Sequence, residues 1–215
     1  MVGACYNWAG GDTITAAGKD LLGAKLQEKP DATLVARTKE GDVEAFAELV
    51  ARHQASVYSV VSRMISSRDD TEDIVQEIFV RAFKSIGCFK QDSSFGTWIY
   101  RIAVNTAIKH MRGSKIRSAA SIDDPDSGLS DTLTDGESDR PGDAAEKAER
   151  SEAVRRAVQM LPEHHRAVVV LHYFENLSCA EIAEIMDCSV GTVWSRLHYA
   201  CKKLKGELSW LNSEC

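Results

Sequence analysis

The sequence predicts an all-α fold of two small helical domains joined by a flexible acidic linker, with a helix-turn-helix in the second domain. Three observations support this prediction. Apolar residues recur at helical spacing in both halves of the chain, and no segment alternates as a strand does. The segment from Ser118 to Asp143 holds eight acidic residues and one basic residue, with few large apolar ones. Near the end of the chain, a short capped helix, a tight turn and a longer helix follow one another.

We therefore divide the 215 residues into four segments. Residues 1–30 are rich in Gly and Ala and have weak periodicity, which is typical of a flexible extension. Residues 31–117 are the first helical domain, and residues 144–209 are the second. Residues 118–143 form the linker, because that composition cannot bury enough apolar surface to fold alone.

The first domain is predicted to contain three strong helices. An apolar stripe from Phe46 to Met64 defines the first, and a capping box, Asp69-x-x-Glu72, begins the second. The third runs roughly from Phe95 to Arg112. One face of this third helix is apolar, and helical spacing places polar and basic residues in a row on another face. The row consists of Thr97, Arg101, Asn105, Lys109 and Arg112.

The second domain is predicted to end in a helix-turn-helix. Ser178-x-x-Glu181 is a capping box for a short helix, and Ser189 caps the longer one. The outward row of the last helix consists of Thr192, Ser195, Arg196, Tyr199, Lys202 and Lys203. These side chains can contact phosphates and base edges, and the row contains no acid. The pattern favours DNA binding over a helical hairpin with a merely basic exterior.

The charge distribution supports the same interpretation, although the net charge is −6. The acidic linker alone contributes −7, so the rest of the chain carries about +1. Residues 101–117 and 194–205 contain basic residues and no acidic ones. Local basic patches suit phosphate binding whatever the total charge.

Aromatic residues beside the basic row of the first domain suggest binding of single-stranded nucleic acid, because cations follow the backbone while rings stack on bases. Phe95 and Trp98 lie on the apolar face and are assigned to the core. Phe89 and Tyr100 are predicted to be exposed contacts.

No motif indicates catalysis or a cofactor, so we predict that the protein is not an enzyme. P-loop, GxSxG and HExxH sequences are missing, and the carboxylates around Asp73 have no catalytic companions. His198, Cys201 and Cys188 could be imagined as metal ligands, but no second pair has zinc spacing, and free thiols are the default. No apolar run is long enough to span a bilayer, and the N-terminus does not resemble a secretory signal, so we expect a cytoplasmic protein.

Two sets of motifs resemble those of extracytoplasmic-function sigma factors of bacterial RNA polymerase. The second conserved region of that family resembles DTEDIVQEIF at Asp70–Phe79 and the pattern Phe95-x-x-Trp-Ile-x-Arg-Ile-Ala-x-Asn105. Its fourth region resembles Leu161-Pro-x-x-x-Arg166, Glu181-Ile-Ala and Gly191-Thr-Val-x-Ser-Arg-Leu197. Each motif alone is weak, and the two sets together are specific.

The resemblance implies a factor that binds core RNA polymerase and directs promoter melting and initiation at a stress- or envelope-responsive regulon. The implied partners are the β′ coiled coil and the β flap of polymerase, promoter DNA and an anti-sigma factor. By position, Asp73, Gln76 and Glu77 match the polymerase-docking residues. The implied contacts with a flipped minus-ten base are Phe89, the loop that continues from it through Ser94, and Asn105. The implied contacts with the DNA backbone are Arg101, Lys109 and Arg112. The implied contacts with the minus-thirty-five element are Ser195 and Arg196.

The chain also departs from the family pattern. Relatives often carry basic residues at the positions of Trp194, Tyr199 and Cys201, so no upstream consensus is carried over from them. The alternative is a conventional helix-turn-helix regulator that acts without polymerase. Such a protein would leave the Asp73–Glu77 face and the Phe89–Asn105 constellation unexplained.

Overall fold

All regular secondary structure in the part of the chain that the structure describes is helical. The computed structural model describes residues 30–120 and 141–209. The α-helices are α1 (Asp31–Lys39), α2 (Val43–Met64), α3 (Arg68–Ser85), α4 (Phe95–Ala120), α5 (Pro141–Gln159), α6 (Glu163–Val169), α7 (Cys179–Ile185) and α8 (Val190–Glu207), with a 3-10 turn at Ile86–Cys88 and a π-helical turn at Val170–Phe174. The predicted all-α class is confirmed. Across these residues, no helix has the length and apolar character that a membrane span requires.

Side-chain caps determine where α7 and α8 begin. The Ser178 hydroxyl accepts a hydrogen bond from the Glu181 backbone N–H, and the Glu181 carboxylate accepts one from the Ser178 N–H. Ser189 caps α8 by accepting from the Thr192 N–H. Both caps were predicted, because each depends only on residues three positions apart.

The predicted start of α3 is wrong by two residues. The helix begins at Arg68, and its N-cap is Ser67, whose hydroxyl accepts a hydrogen bond from the Asp70 N–H. Because Ser67 is the N-cap, Asp69 and Asp70 lie in the first turn of the helix. Their negative charges interact favourably with the helix dipole there.

The segment between the two domains is only partly described. Helix α4 continues to Ala120 and α5 begins at Pro141, so both ends of the predicted linker 118–143 are helical. Residues 121–140, which hold all the linker acids except Asp143, lie outside the described residues, as do residues 1–29. The flexible linker and the N-terminal extension therefore stay predictions.

The apolar faces of both domains form one continuous core. In the first domain, α1 to α4 pack around fully buried residues such as Leu49, Ile78 and Ile99. In the second, α5 to α8 pack around Leu171 and Ile182. The buried residues of the two domains belong to a single cluster, because α2 contacts α6, and α4 contacts both α6 and α7. The second domain therefore rests against the side of α4 that carries the predicted DNA-contacting row.

Candidate nucleic-acid interface

Helices α7 and α8 form the predicted helix-turn-helix. The turn Met186–Ser189 includes Asp187 with φ 48°, a left-handed conformation that an Asp tolerates in a tight turn. One side of α8 is buried against the domain through Val193, Leu197 and Ala200. The opposite side is exposed. This is the arrangement in which a recognition helix enters the major groove of DNA.

The six predicted DNA contacts of α8 are not equally exposed. Ser195, Tyr199 and Lys202 are exposed, whereas Thr192, Arg196 and Lys203 are half-buried. The Arg196 guanidinium lies 3.7 Å from the Cys188 sulfur, and the Lys203 ammonium donates to the Met160 carbonyl at 3.1 Å. Arg196 and Lys203 therefore lie on the flank of α8 that faces the rest of the domain.

Two histidines of α6 lie beside this flank. Burial lowers the pKa of His164 and His165, and the nearby Arg196 guanidinium lowers both further. Both imidazoles are therefore neutral near pH 7. The Tyr199 ring packs on His165, with 4.6 Å between the ring centroids. The positive charge of this flank consequently comes from Arg196 and Lys203 and not from the histidines.

A groove between α3 and α4 contains the exposed side chain of Asn105. It consists of two hollows of about 390 and 240 Å³ that share Arg81 and Thr106. Lys84 lines the larger hollow with Asn105, and Lys109 lines the smaller one. Cations beside an amide suit a nucleic-acid strand, because they can follow phosphates while the amide bonds a base edge.

Arg81 and Lys84 were not predicted as site residues. The sequence predicts a polymerase-docking role for the acidic face of α3 and no role for the basic residues near the end of that helix. Arg81 and Lys84 are three positions apart on α3, so their side chains lie on neighbouring parts of the helix surface and can line the same groove. Only the packing of α4 against α3 shows which partner completes the groove.

Phe89 is buried, contrary to the prediction that it is an exposed contact. Its side chain is 6% exposed, and its ring stacks on Trp98 with 4.8 Å between centroids. The Phe95 ring contacts the Phe89 ring edge-on. Phe89 does not line the groove that contains Asn105. The polar loop that follows Phe89 suggested exposure, but an aromatic cluster buries more apolar surface and gives favourable ring geometry.

The predicted polymerase-docking residues are all exposed on α3. Asp73, Gln76 and Glu77 lie within one turn of each other. Glu77 forms an ion pair with Arg81 at 2.5 Å, and Asp73 has no ion pair within the residues that the structure describes. Glu77 also lines the smaller hollow of the groove, so the acidic face and the groove share this ion pair.

Two family models match the chain, one in each domain. The model of Sigma-70 region 2 matches residues 49–116, and the model of Sigma-70 region 4 matches residues 151–204. The ECF RNA polymerase sigma-E factor of Escherichia coli strain K12 is 39% identical over 178 residues, which cover 81% of this chain and 92% of that protein. The chain belongs to the extracytoplasmic-function (ECF) family of sigma factors. The RNA polymerase sigma-H factor of Pseudomonas aeruginosa is 37% identical over 179 residues, with the same coverage.

Solved structures share the fold of this ECF sigma factor. CnrH, in complex with the cytosolic domain of CnrY, matches with a TM-score of 0.58 and 26% identity over 83% of this chain and 97% of that one. Bartonella quintana RpoE, in complex with the anti-sigma factor NepR, matches with a TM-score of 0.62 and 20% identity over 76% and 96%. As a sigma factor, the chain is a transcription initiation factor that binds core RNA polymerase and recognises promoter DNA.

In this sigma factor, two residues of the row on α4, Arg101 and Arg112, contact the second domain, as does Lys115. Three cations are bonded there: Arg101 donates to the Glu184 carbonyl at 2.6 Å, Arg112 to the His164 ring at 2.8 Å and Lys115 to the Glu163 carboxylate at 2.7 Å. Asn105 and Lys109 are exposed beside them. Arg101 is half-buried by this contact, whereas Arg112 and Lys115 remain exposed while they are bonded.

Glu175 is a polar link between the domains that the sequence did not predict. Its carboxylate accepts hydrogen bonds from the Ser59 hydroxyl at 2.6 Å and from the Tyr100 hydroxyl at 3.0 Å. Tyr100, which was predicted to be exposed, is therefore half-buried. Burial, together with the Glu175 charge, raises the pKa of Tyr100 to about 12. The Arg63 guanidinium covers the neighbouring Phe174 ring at 4.7 Å.

Replacing Glu175 with alanine is expected to open the two domains. The change leaves the Ser59 and Tyr100 hydroxyls without their carboxylate acceptor. Two hydrogen bonds to a charged group together contribute about 2 kcal/mol here, or roughly thirtyfold in the docking equilibrium. Distance distributions between spin labels on the two domains measure the result. Glu184→Ala is the control, because it removes the same charge at this interface but keeps the carbonyl that Arg101 uses. Equal distributions for both variants would contradict the prediction.

Proposed function

We propose that this sigma factor divides promoter recognition among three surfaces. The acidic face of α3, with Asp73, Gln76 and Glu77, docks on the β′ coiled coil of polymerase. The groove between α3 and α4 receives the single-stranded minus-ten element. Helix α8 enters the major groove of the minus-thirty-five element while its domain contacts the β flap.

The observation that carries the proposal is the α3–α4 groove, in which the exposed Asn105 amide lies with Arg81, Lys84 and Lys109. Holding a base out of the stack costs a few kcal/mol, which new contacts must offset. The amide can form hydrogen bonds with a base edge, and Lys84 and Lys109 can bind the phosphates on either side, whereas Arg81 is paired with Glu77. Phe89 supports this site from the core and does not stack on the base.

For the upstream element, we propose that the N-terminal half of α8 reads sequence and the C-terminal half binds phosphate. Thr192, Ser195 and Arg196 belong to the turns that helix-turn-helix geometry places nearest the bases. Tyr199, Lys202 and Lys203 follow one to two turns later, where a cation on phosphate adds affinity without sequence information.

We further propose that an anti-sigma factor holds the closed arrangement. The relative RpoE was solved with an anti-sigma factor, and CnrH with the cytosolic domain of CnrY. In the closed arrangement, the Arg101 guanidinium is half-buried and bonded to the second domain, which limits its access to promoter DNA. A partner that stabilises this state would keep the sigma factor inactive in the cytoplasm until a stress or envelope signal releases it.

Transcription from a promoter library with core RNA polymerase tests the proposed function. We expect initiation only when this protein is present, at promoters that share one minus-ten and one minus-thirty-five element. Binding to duplex DNA without any dependent transcripts would instead indicate a helix-turn-helix regulator.

Replacing Asn105 with alanine is expected to slow open-complex formation about tenfold and to relax preference at one minus-ten position. One good contact to a base edge contributes roughly 1–3 kcal/mol of discrimination. Permanganate footprinting on single-base variants of one promoter measures both effects. Gln54→Ala removes an exposed amide from α2, outside the groove, and serves as the control. A variant that melts promoters with unchanged base preference would exclude Asn105 from direct reading.

A further inference from the structure

The recognition helix carries a large apolar side chain that the fold does not need. Trp194 is the fifth residue of α8, and 53% of its side chain is exposed. Among the described residues, its indole forms neither a hydrogen bond nor a ring contact. Trp194 is not needed to pack α8 against the domain, because Val193, Leu197 and Ala200 form the buried side of the helix. Trp194 therefore keeps much of its apolar surface in water, and burial of that surface by a ligand would be favourable.

The surroundings of Trp194 suit DNA. The residue lies in the N-terminal half of α8, which helix-turn-helix geometry places nearest the base edges. Ser195 and His198 are exposed beside it. Before Glu207 at its end, α8 contains four basic residues and no acidic one, so this part of its exposed surface attracts phosphate.

The major groove offers one apolar group, the C5 methyl of thymine. A basic residue at this position would instead form hydrogen bonds with guanine or a phosphate. The indole is uncharged and has a single N–H donor, so contact with a methyl group is its main source of favourable energy. Tyr199 is also exposed, but its ring already packs on His165.

We propose that Trp194 is a specificity-determining residue that packs on a thymine C5 methyl in the upstream promoter element. The proposal rests on the proposed role of α8 at that element. In this division of roles, Trp194 contributes sequence discrimination, and Lys202 and Lys203 contribute affinity.

Replacing thymine with deoxyuridine tests the proposal, because the exchange removes only the C5 methyl group. The full-length protein with core RNA polymerase first selects promoters from a library with a randomised upstream element. Each thymine of the selected element is then replaced singly by deoxyuridine, on either strand. For the wild type, we expect at least one exchange to weaken holoenzyme binding about fourfold, as loss of one buried methyl group predicts.

Protein variants then assign the methyl effect to Trp194. Trp194→Ala should bind the thymine and deoxyuridine promoters equally at that position. Trp194→Lys should gain affinity at low salt and a steeper salt dependence, and still not distinguish the two bases. Met160→Ala is the matched control, since it removes an exposed apolar side chain outside α8 and should keep the fourfold difference.

Several results would overturn the proposal. A selected element without an upstream thymine would do so, as would a wild type that tolerates every deoxyuridine exchange. Persistence of the fourfold difference in Trp194→Ala would also overturn it. If Trp194→Ala leaves the base profile unchanged but weakens binding to core polymerase, the residue is a protein contact. Failure of the library to yield any dependent promoter contradicts the proposed function itself, whereas promoter selection without a methyl effect contradicts only the role of Trp194.

Discussion

Replacing Arg166 with alanine is expected to lower the free energy of unfolding by about 3 kcal/mol, the largest effect of any single substitution considered for this chain. Arg166 is 8% exposed, and its guanidinium donates to the Met64 carbonyl at the end of α2 and to the Gln159 and Leu161 carbonyls at and after the end of α5. The last carbonyls of a helix have no hydrogen-bond donor within the helix. A cation at that end also interacts favourably with the helix dipole.

The expected loss follows from the acceptors left behind. Each buried carbonyl deprived of a charged donor costs roughly 1–3 kcal/mol, and Arg166 serves helices from both domains. Urea denaturation followed by circular dichroism measures the change. Arg166→Met keeps apolar volume and removes the donors, so it should be destabilised to a similar extent. Arg156→Ala removes an arginine whose side chain is 57% exposed, and its effect should stay below about 0.5 kcal/mol. A loss under 1 kcal/mol for both Arg166 variants would show that water replaces the guanidinium without penalty.

The sequence predicted those features that depend on neighbours along the chain. The capping box at Ser178 and the cap at Ser189 involve residues three positions apart, so local pattern was sufficient. Helical periodicity likewise identified the exposed acidic face of α3 and the buried side of α8. Each of these is decided by one helix and its own ends.

Features that depend on the packing of distant segments were not predicted. Periodicity shows that a face is polar, but not which element covers it. Periodicity therefore predicts an exposed Tyr100, although Glu175, which is 75 residues away, accepts a hydrogen bond from its hydroxyl. The predicted exposure of Phe89 is wrong for a related reason, because Phe89 is buried by the Trp98 ring of α4, which stacks on it. Arg166 was noticed only as part of a motif, and its bonds to two helix ends could not be read from the sequence.

Under the proposed function, domain docking and DNA binding compete for Arg101. Its half-buried guanidinium donates to the Glu184 carbonyl of the second domain, whereas Arg112 stays exposed while it is bonded to His164. The free energy of docking is therefore subtracted from the affinity for DNA, and polymerase or DNA must bind the open state preferentially to shift the population. Variants that weaken docking should consequently raise affinity for promoter DNA without any change in the DNA-contacting residues.

The second large effect is expected at the proposed polymerase-docking face, where reversing Asp73 and Glu77 to lysine should weaken binding to core RNA polymerase on the order of a hundredfold. Both side chains are exposed on α3, so the fold does not depend on them. The cost within the protein is small, because Glu77→Lys exchanges one exposed ion pair with Arg81 for a like-charge pair worth a few tenths of a kcal/mol. At the interface, two carboxylates become two cations facing the same polymerase surface.

Fluorescence titration of labelled core polymerase measures the affinity, and thermal melting confirms that the variant is folded. The control reverses Glu40 and Glu149 to lysine, because both are exposed acids on other parts of the surface and the change in net charge is the same. The control should keep wild-type affinity at 0.15 M salt, where long-range charge effects are screened beyond about 8 Å. Raising the salt concentration should weaken the wild-type complex more than that of the double variant, because the lost contacts are electrostatic. If both pairs of reversals lower affinity equally, binding responds to overall charge, and the assignment of Asp73 and Glu77 to the docking face is wrong.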